Sequence, residues 1–214
     1  MPNFELMMKP LDFAGPKPEE DEDNMDAEVP HPFLRNVSQG RRFAQLQKAS
    51  DLLAKMPTRE GEVLTFIIVG RFDVGDILAH MLATLGPVDH LRITTLSFAR
   101  RNAEALKKWV DTGLVRRLSF LVSEFFKTHN ADVYEDLRQF LAERHAAGHR
   151  MAAARSHCKV LTFEFANGDK FAMSGSANTR TCSSWENMEL AKDVALSDWH
   201  SEWIDGLITK YVSA

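Results

Sequence analysis

Val63-Leu-Thr-Phe-Ile-Ile-Val69 is a seven-residue run without a charge, rich in β-branched and aromatic side chains. Such a run reads as a central strand buried on both faces. Downstream, Asp76 to Leu85 reads as a helix, closed by Gly86-Pro87. Leu91-Arg-Ile-Thr-Thr-Leu-Ser97 is a second strand, and Asn102 to Val110 a helix that ends near Gly113. Val115 to Val122 is a third strand. Ala131 to Ala147 is a long helix with Val133, Leu137, Phe140 and Leu141 on one side, stopped at Gly148. Strands alternating with helices predict an α/β fold whose mixed, largely parallel sheet is flanked by helices. Upstream, Phe43, Leu46, Ala49, Leu52 and Leu53 recur at steps of three and four, so Arg41 to Met56 is expected to be helical. Pro57 and Gly61 punctuate its end. Gly70-Arg-Phe-Asp-Val-Gly75 follows a strand but lacks the spacing of a dinucleotide-binding or P-loop motif, and reads as a turn.

The pattern changes after residue 150. Lys159 to Phe165 and Lys170 to Met173 look like two strands joined through Asn167-Gly168. Asn-Gly between such runs is a strong hairpin signal. Met188 to Leu196 suggests a further strand. Trp199, Trp203, Ile204, Leu207, Ile208 and Tyr211 mark a closing amphipathic helix. No internal repeat is visible. The expected organisation is an arm over 1–32, a helical segment over 33–60 and an α/β domain over 61–214.

Charge separates the arm from the body. The 214 residues carry a net −4, yet residues 1–32 alone carry −7 and the remainder +3. The arm also holds Pro10, Pro16, Pro18, Pro30 and Pro32, and its charge and proline point to disorder. It reads as a solubilising tail or as an anionic mimic covering a phosphate-binding surface. With 44% hydrophobic and 26% charged residues, the chain belongs to the ordinary globular class. Its longest aliphatic-rich stretch, Val63 to Val69, is far short of the about 20 residues that span a bilayer. No stable membrane insertion is expected, and no secretory signal is visible. Two cysteines, Cys158 and Cys182, make no disulfide framework, so a reducing cytoplasm is expected.

The chemistry concentrates between Ser156 and Leu190. In a strand, residues two apart share a face, so His157 and Lys159 share one side at the start of the hairpin. Ser176 and Asn178 share one side beyond its second strand, and the hairpin folds these two ends together. Glu189 arrives from the next strand. Lysine and asparagine supply donors for phosphate oxygens. A carboxylate can fix a histidine's tautomer and leave the other ring nitrogen free as nucleophile or acid. No second acidic cluster stands by for a metal. His145 and His149, at i and i+4, lack the remainder of a zinc-binding pattern. Cys158, between His157 and Lys159, is expected to point into the core; Trp185, near Asn187, lines the site or packs in the core, with the core favoured.

His157-x-Lys159, Gly175-Ser176-x-Asn178 and Asn187-x-Glu189, in that order, resemble the signature of the phospholipase D superfamily, over about residues 155 to 190. The resemblance implies that His157 is the nucleophile that forms a phosphohistidine. Lys159 and Asn178 would hold phosphoryl oxygens, Ser176 would support the site, and Glu189 would orient His157. It implies a phosphodiesterase without metal or other cofactor. Two departures stand out. Glu164 occupies the position where the pattern has Asp, and the interval from Lys159 to Ser176 is longer than usual. The family's centre needs two His-x-Lys sets, and this chain has one, so the resemblance implies a homodimer like the small bacterial endonucleases. The mildly basic body favours nucleic acid, DNA first, over a phospholipid. Arg138, Arg144, Arg150 and Arg155 lead into the motif, while Arg100 and Arg101 follow a strand whose end is placed to face the site. Arg155, Arg100 and Arg101 are therefore the candidate contacts to substrate. A catalytically weak or inactive protein on the same fold that binds nucleic acid or a partner, and a phospholipid hydrolase, are the alternatives.

Overall fold

The computed structural model describes residues 40–68, 71–180 and 185–212. The acidic arm, Cys182 and the first residue of the Gly70–Gly75 turn lie outside them.

Eight strands form one sheet: β1 (Arg41–Leu46), β2 (Glu62–Ile68), β3 (Val88–Thr95), β4 (Leu118–Ser123), β5 (Arg150–Ala154), β6 (Val160–Phe165), β7 (Lys170–Gly175) and β8 (Glu186–Lys192). Their spatial order is β1-β2-β8-β7-β6-β3-β4-β5. β1 lies parallel to β2, and β3, β4 and β5 are parallel to one another. The four ladders between these groups, from β2 through β8, β7 and β6 to β3, are antiparallel. The sheet is therefore mixed, not largely parallel. The β6–β7 hairpin and the returning β8 insert in the middle of it, where the β-α alternation of residues 63–147 gave no hint of them.

The expected helix over Arg41–Met56 is corrected as well. Its first half is edge strand β1, with Leu46 buried and Phe43 75% exposed; its second half is a 3-10 helix, Ala49–Lys55. Pairing with β2 overrides the helical spacing of the apolar residues.

α1 (Val74–Leu85), α2 (Arg100–Asp111), α3 (Glu124–His129), α4 (Ala131–Ala142) and α5 (Val194–Tyr211) flank the sheet. Asp73 caps α1 in a capping box with Asp76, and Ser123 caps α3 through the amide of Phe126. Strand alternation places Leu64, Phe66, Leu91, Ile93, Phe120, Phe163 and Leu190 in the main core with Ile77, Met81, Leu106 and Leu137 from α1, α2 and α4. On the opposite face, Leu121, Ala152, Ala154 and Val160 pack under Ile204 and Ile208 of α5. That second interface also holds charge. Arg92 bridges Glu164 at 2.5 Å and Asp205 at 2.8 Å, and Arg150 reaches Asp205 at 3.0 Å. Among the described residues, no helix is long and apolar enough to cross a membrane.

Candidate active site

Strand direction decides which side chains meet. β2, β3, β4, β5 and β7 run one way, while β6 and β8 run the other. The exits of β3, β5 and β7 and the entries of β6 and β8 thus lie at one end of the sheet. The loop into β6 carries His157 and Lys159. The loop out of β7 carries Ser176 and Asn178. This is the end at which open α/β sheets hold their ligands.

His157 is exposed and Lys159 is buried beneath it. The Lys159 Nζ lies 2.9 Å from His157 Nδ1 and donates to the His157 carbonyl oxygen at 2.7 Å. Burial pushes Lys159 below the usual lysine range, against the opposing pull of Cys158 and Glu186. The ring contact therefore admits two proton patterns. An ammonium donating to Nδ1 leaves Nε2–H as a proton donor. A neutral amine accepting from Nδ1–H leaves Nε2 bare, with a lone pair directed outward.

The second strand of the hairpin ends in a close approach. A Cβ on Gly175 would stand 2.1 Å from the Asn187 carbonyl oxygen and 2.6 Å from Met188 Sδ, so glycine alone lets β7 and β8 meet here. Ser176 Oγ donates to the Glu186 carboxylate and accepts from the Asn187 amide at 3.0 Å. Asn178 turns its Oδ1 to the Leu96 amide at 3.2 Å and the Thr95 hydroxyl at 3.4 Å. Buried Thr179 repeats the anchorage on Thr95 and Ser97. With its oxygen so held, the Asn178 amide nitrogen remains a donor at the site.

Other expected contacts are replaced. Glu189 does not orient His157: its carboxylate accepts from Thr65 Oγ1 at 2.9 Å and pairs with Arg41 at 3.0 Å. Side-chain alternation along β8 sets Glu189 and Glu186 on opposite faces. Glu186 holds Ser176 and acts on Lys159, and it is the carboxylate the motif reading missed. Arg100 is tied to Asp132 at 2.5 Å, and Arg101 to Asp73 at 2.5 Å and Asp76 at 3.2 Å. Of the arginines leading into the motif, Arg138 pairs with Glu135, Arg144 with Asp111 and Arg150 with Asp205. Arg155 is exposed and has no ion pair among the described residues. Glu164 stands at the far end of β6, bound to Arg92.

Two further corrections and one placement belong here. Cys158 is exposed, not buried. Trp185 is 76% exposed, not part of the core. His149 is buried, its Nδ1 accepting from the Leu118 amide at 3.2 Å. Among the described residues, no three His, Cys, Asp or Glu side chains cluster as a metal site would require.

No family model matches the chain, and no curated protein matches it. Solved structures do. Polyphosphate kinase from Porphyromonas gingivalis aligns over 77% of this chain and 29% of its own, with a TM-score of 0.50 and 12% identity. An archaeal chromatin protein, TrmBL2, whose structure shows a novel mode of DNA binding, aligns over 77% of this chain and 59% of its own (TM-score 0.47, 11% identity). Phosphatidylserine synthase from Haemophilus influenzae aligns over 71% and 40% (TM-score 0.46, 17% identity). The chain thus spans less than two thirds of the length of each. Polyphosphate kinase has a phospholipase D-like fold, and the likeness to it is one of fold.

Proposed function

We propose that this chain is a phosphodiesterase, most specifically a nuclease, that works through a phosphohistidine on His157. The observation that carries the reading is the exposed His157 ring held by Lys159, at the sheet end where the Asn178 amide nitrogen has no acceptor among the described residues. In the proposed reaction, Nε2 of His157 attacks phosphorus as the bond from phosphorus to the leaving oxygen breaks. That oxygen takes a proton from Nε2–H of a second copy's imidazole. The second imidazole then accepts a proton from water, whose oxygen displaces His157 and breaks the P–N bond. Lys159 and Asn178 offer positive charge and a donor where charge develops on the phosphoryl oxygens. A homodimer is part of this proposal, because one chain supplies one imidazole.

The engagement of Glu189 with Thr65 and Arg41 favours a second reading, a binding protein with weak turnover, since no described carboxylate holds the His157 ring. The two separate in one experiment. Wild type and His157→Ala are incubated with single- and double-stranded DNA and RNA in excess EDTA, and the wild type is probed for an acid-labile phosphoenzyme. Cleavage by wild type alone, with a labile phosphoryl group, supports the first. Retained binding by both proteins without cleavage supports the second.

A further inference from the structure

We infer that the site end of the sheet takes a single nucleic-acid strand, stacking one base on Trp185 and holding flanking phosphates with Arg71, Arg155 and Arg180. This rests on the phosphodiester reading above and narrows its substrate.

Most described arginines meet carboxylates. Of the exposed ones without an ion pair among the described residues, Arg59 and Arg117 precede β2 and β4 at the opposite end of the sheet, and three stand at the site end. Arg100, Arg101, Arg138, Arg144 and Arg150 all meet carboxylates. Arg71, Arg155 and Arg180 are exposed, with neither ion pair nor hydrogen bond among the described residues. All three stand at the same sheet end: Arg71 beyond β2, Arg155 between β5 and β6, Arg180 beyond β7. Arg180 shares a small cleft with Asn178 and Glu186, so it adjoins the donor proposed for the phosphoryl group. From β2 to β6 is three strand spacings, about 14 Å. Guanidinium groups spread over that width exceed what one phosphate engages and fit a chain of phosphates.

Trp185 decides between one strand and two. It immediately precedes β8, at the same end, and is 76% exposed, while Trp109, Trp199 and Trp203 are half-buried. A bare indole face costs solvation that the protein could have avoided by turning it inward. A base in a duplex has both faces covered by its neighbours, whereas an unpaired base has a face to offer. Arginines interleaved with an exposed aromatic are the means by which strands are held without sequence preference.

The test uses full-length His157→Ala, which is expected to bind without cutting. Oligo(dT), a duplex of equal length and anionic phosphatidylglycerol vesicles are titrated while tryptophan emission is followed. The expected result is quenching by oligo(dT), and weaker binding of duplex. Trp185→Ala should weaken oligo(dT) binding by about 5- to 150-fold at every salt concentration and abolish most of the quench. It should not change the slope of log K against log salt, and Trp185→Phe should restore most of the affinity. Arg180→Gln should instead lower that slope by about 0.7. Circular dichroism of each variant separates loss of contact from loss of fold. Equal affinity for single strand and duplex with no effect of Trp185→Ala overturns the inference, as does binding to vesicles alone. If Trp185-dependent strand binding holds but the wild type cuts nothing, the phosphodiesterase reading fails and this one stands.

Discussion

At His157 and Lys159, one proton separates an acid from a nucleophile. With Lys159 charged, Nε2 carries hydrogen; with Lys159 neutral, Nε2 is bare. Because burial lowers the pKa of Lys159, the bare form is reached at lower pH than for a solvated lysine. The rate of phosphoenzyme formation is therefore expected to rise with pH as the attacking copy's Nε2 is bared, and to fall again as the second copy's Nε2 loses the hydrogen that protonates the leaving oxygen. Lys159→Arg retains the charge but cannot release the proton. It should cost about 100-fold or more in turnover and flatten that rise, which a pH–rate profile on an oligonucleotide checks. A loss of equal size at every pH would point to the position of the cation rather than to release of its proton. Gly175 makes a different demand. Adding a methyl 2.1 Å from the Asn187 carbonyl oxygen forces β7 from β8, and Gly175→Ala should destabilise the fold by about 1–3 kcal/mol in denaturant unfolding.

At the scale of elements, the layer under α5 contains an acid-sensitive joint. His90 lies beneath it, its Nε2 2.9 Å from Ser119 Oγ, and burial, with Arg92 beside it, pushes its pKa down to about 3. The folded state thus holds His90 neutral, whereas the unfolded chain protonates it below about 6.5. Its contribution is full above that pH and disappears as pH falls toward 3, at up to about 1.4 kcal/mol per pH unit. Denaturant melts of wild type between pH 7 and 4 should show that decline. His90→Gln should start less stable and decline less steeply; parallel curves would remove His90 as the cause. None of this joint was legible in the sequence, because it joins β3, β4, β6 and α5 across more than 100 residues. The β6–β7 hairpin was legible, since Asn167-Gly168 encodes its turn locally and Gly168 adopts φ +86° there. β5 was not, because Arg-Met-Ala-Ala-Ala has little strand preference and owes its place to β4 and α5. His157, Lys159, Ser176 and Asn178, which the motif singled out, lie at one end of the sheet. Order along β8 could not show that Glu186, rather than Glu189, faces Ser176. The burial of Trp185 and Cys158 was misjudged for a similar reason, as an apolar residue beside a strand end carries no local mark of which way it turns.

At the scale of the whole molecule, the proposed chemistry asks for two imidazoles while each chain brings one. Stoichiometry can test this independently of any interface geometry. Wild type and His157→Ala, co-expressed in equal amounts with random pairing, would form wild-type, mixed and double-variant dimers. If both His157 rings serve one site, only the wild-type dimers turn over, and specific activity per total protein falls to about one quarter. If each chain works alone, it falls to about one half. The same samples run in a sedimentation experiment establish that pairing occurred, so that one half measured on a dimer assigns nucleophile and acid to a single chain. One quarter would place them on opposite copies. It would also explain how a chain with a single His-x-Lys set completes the site.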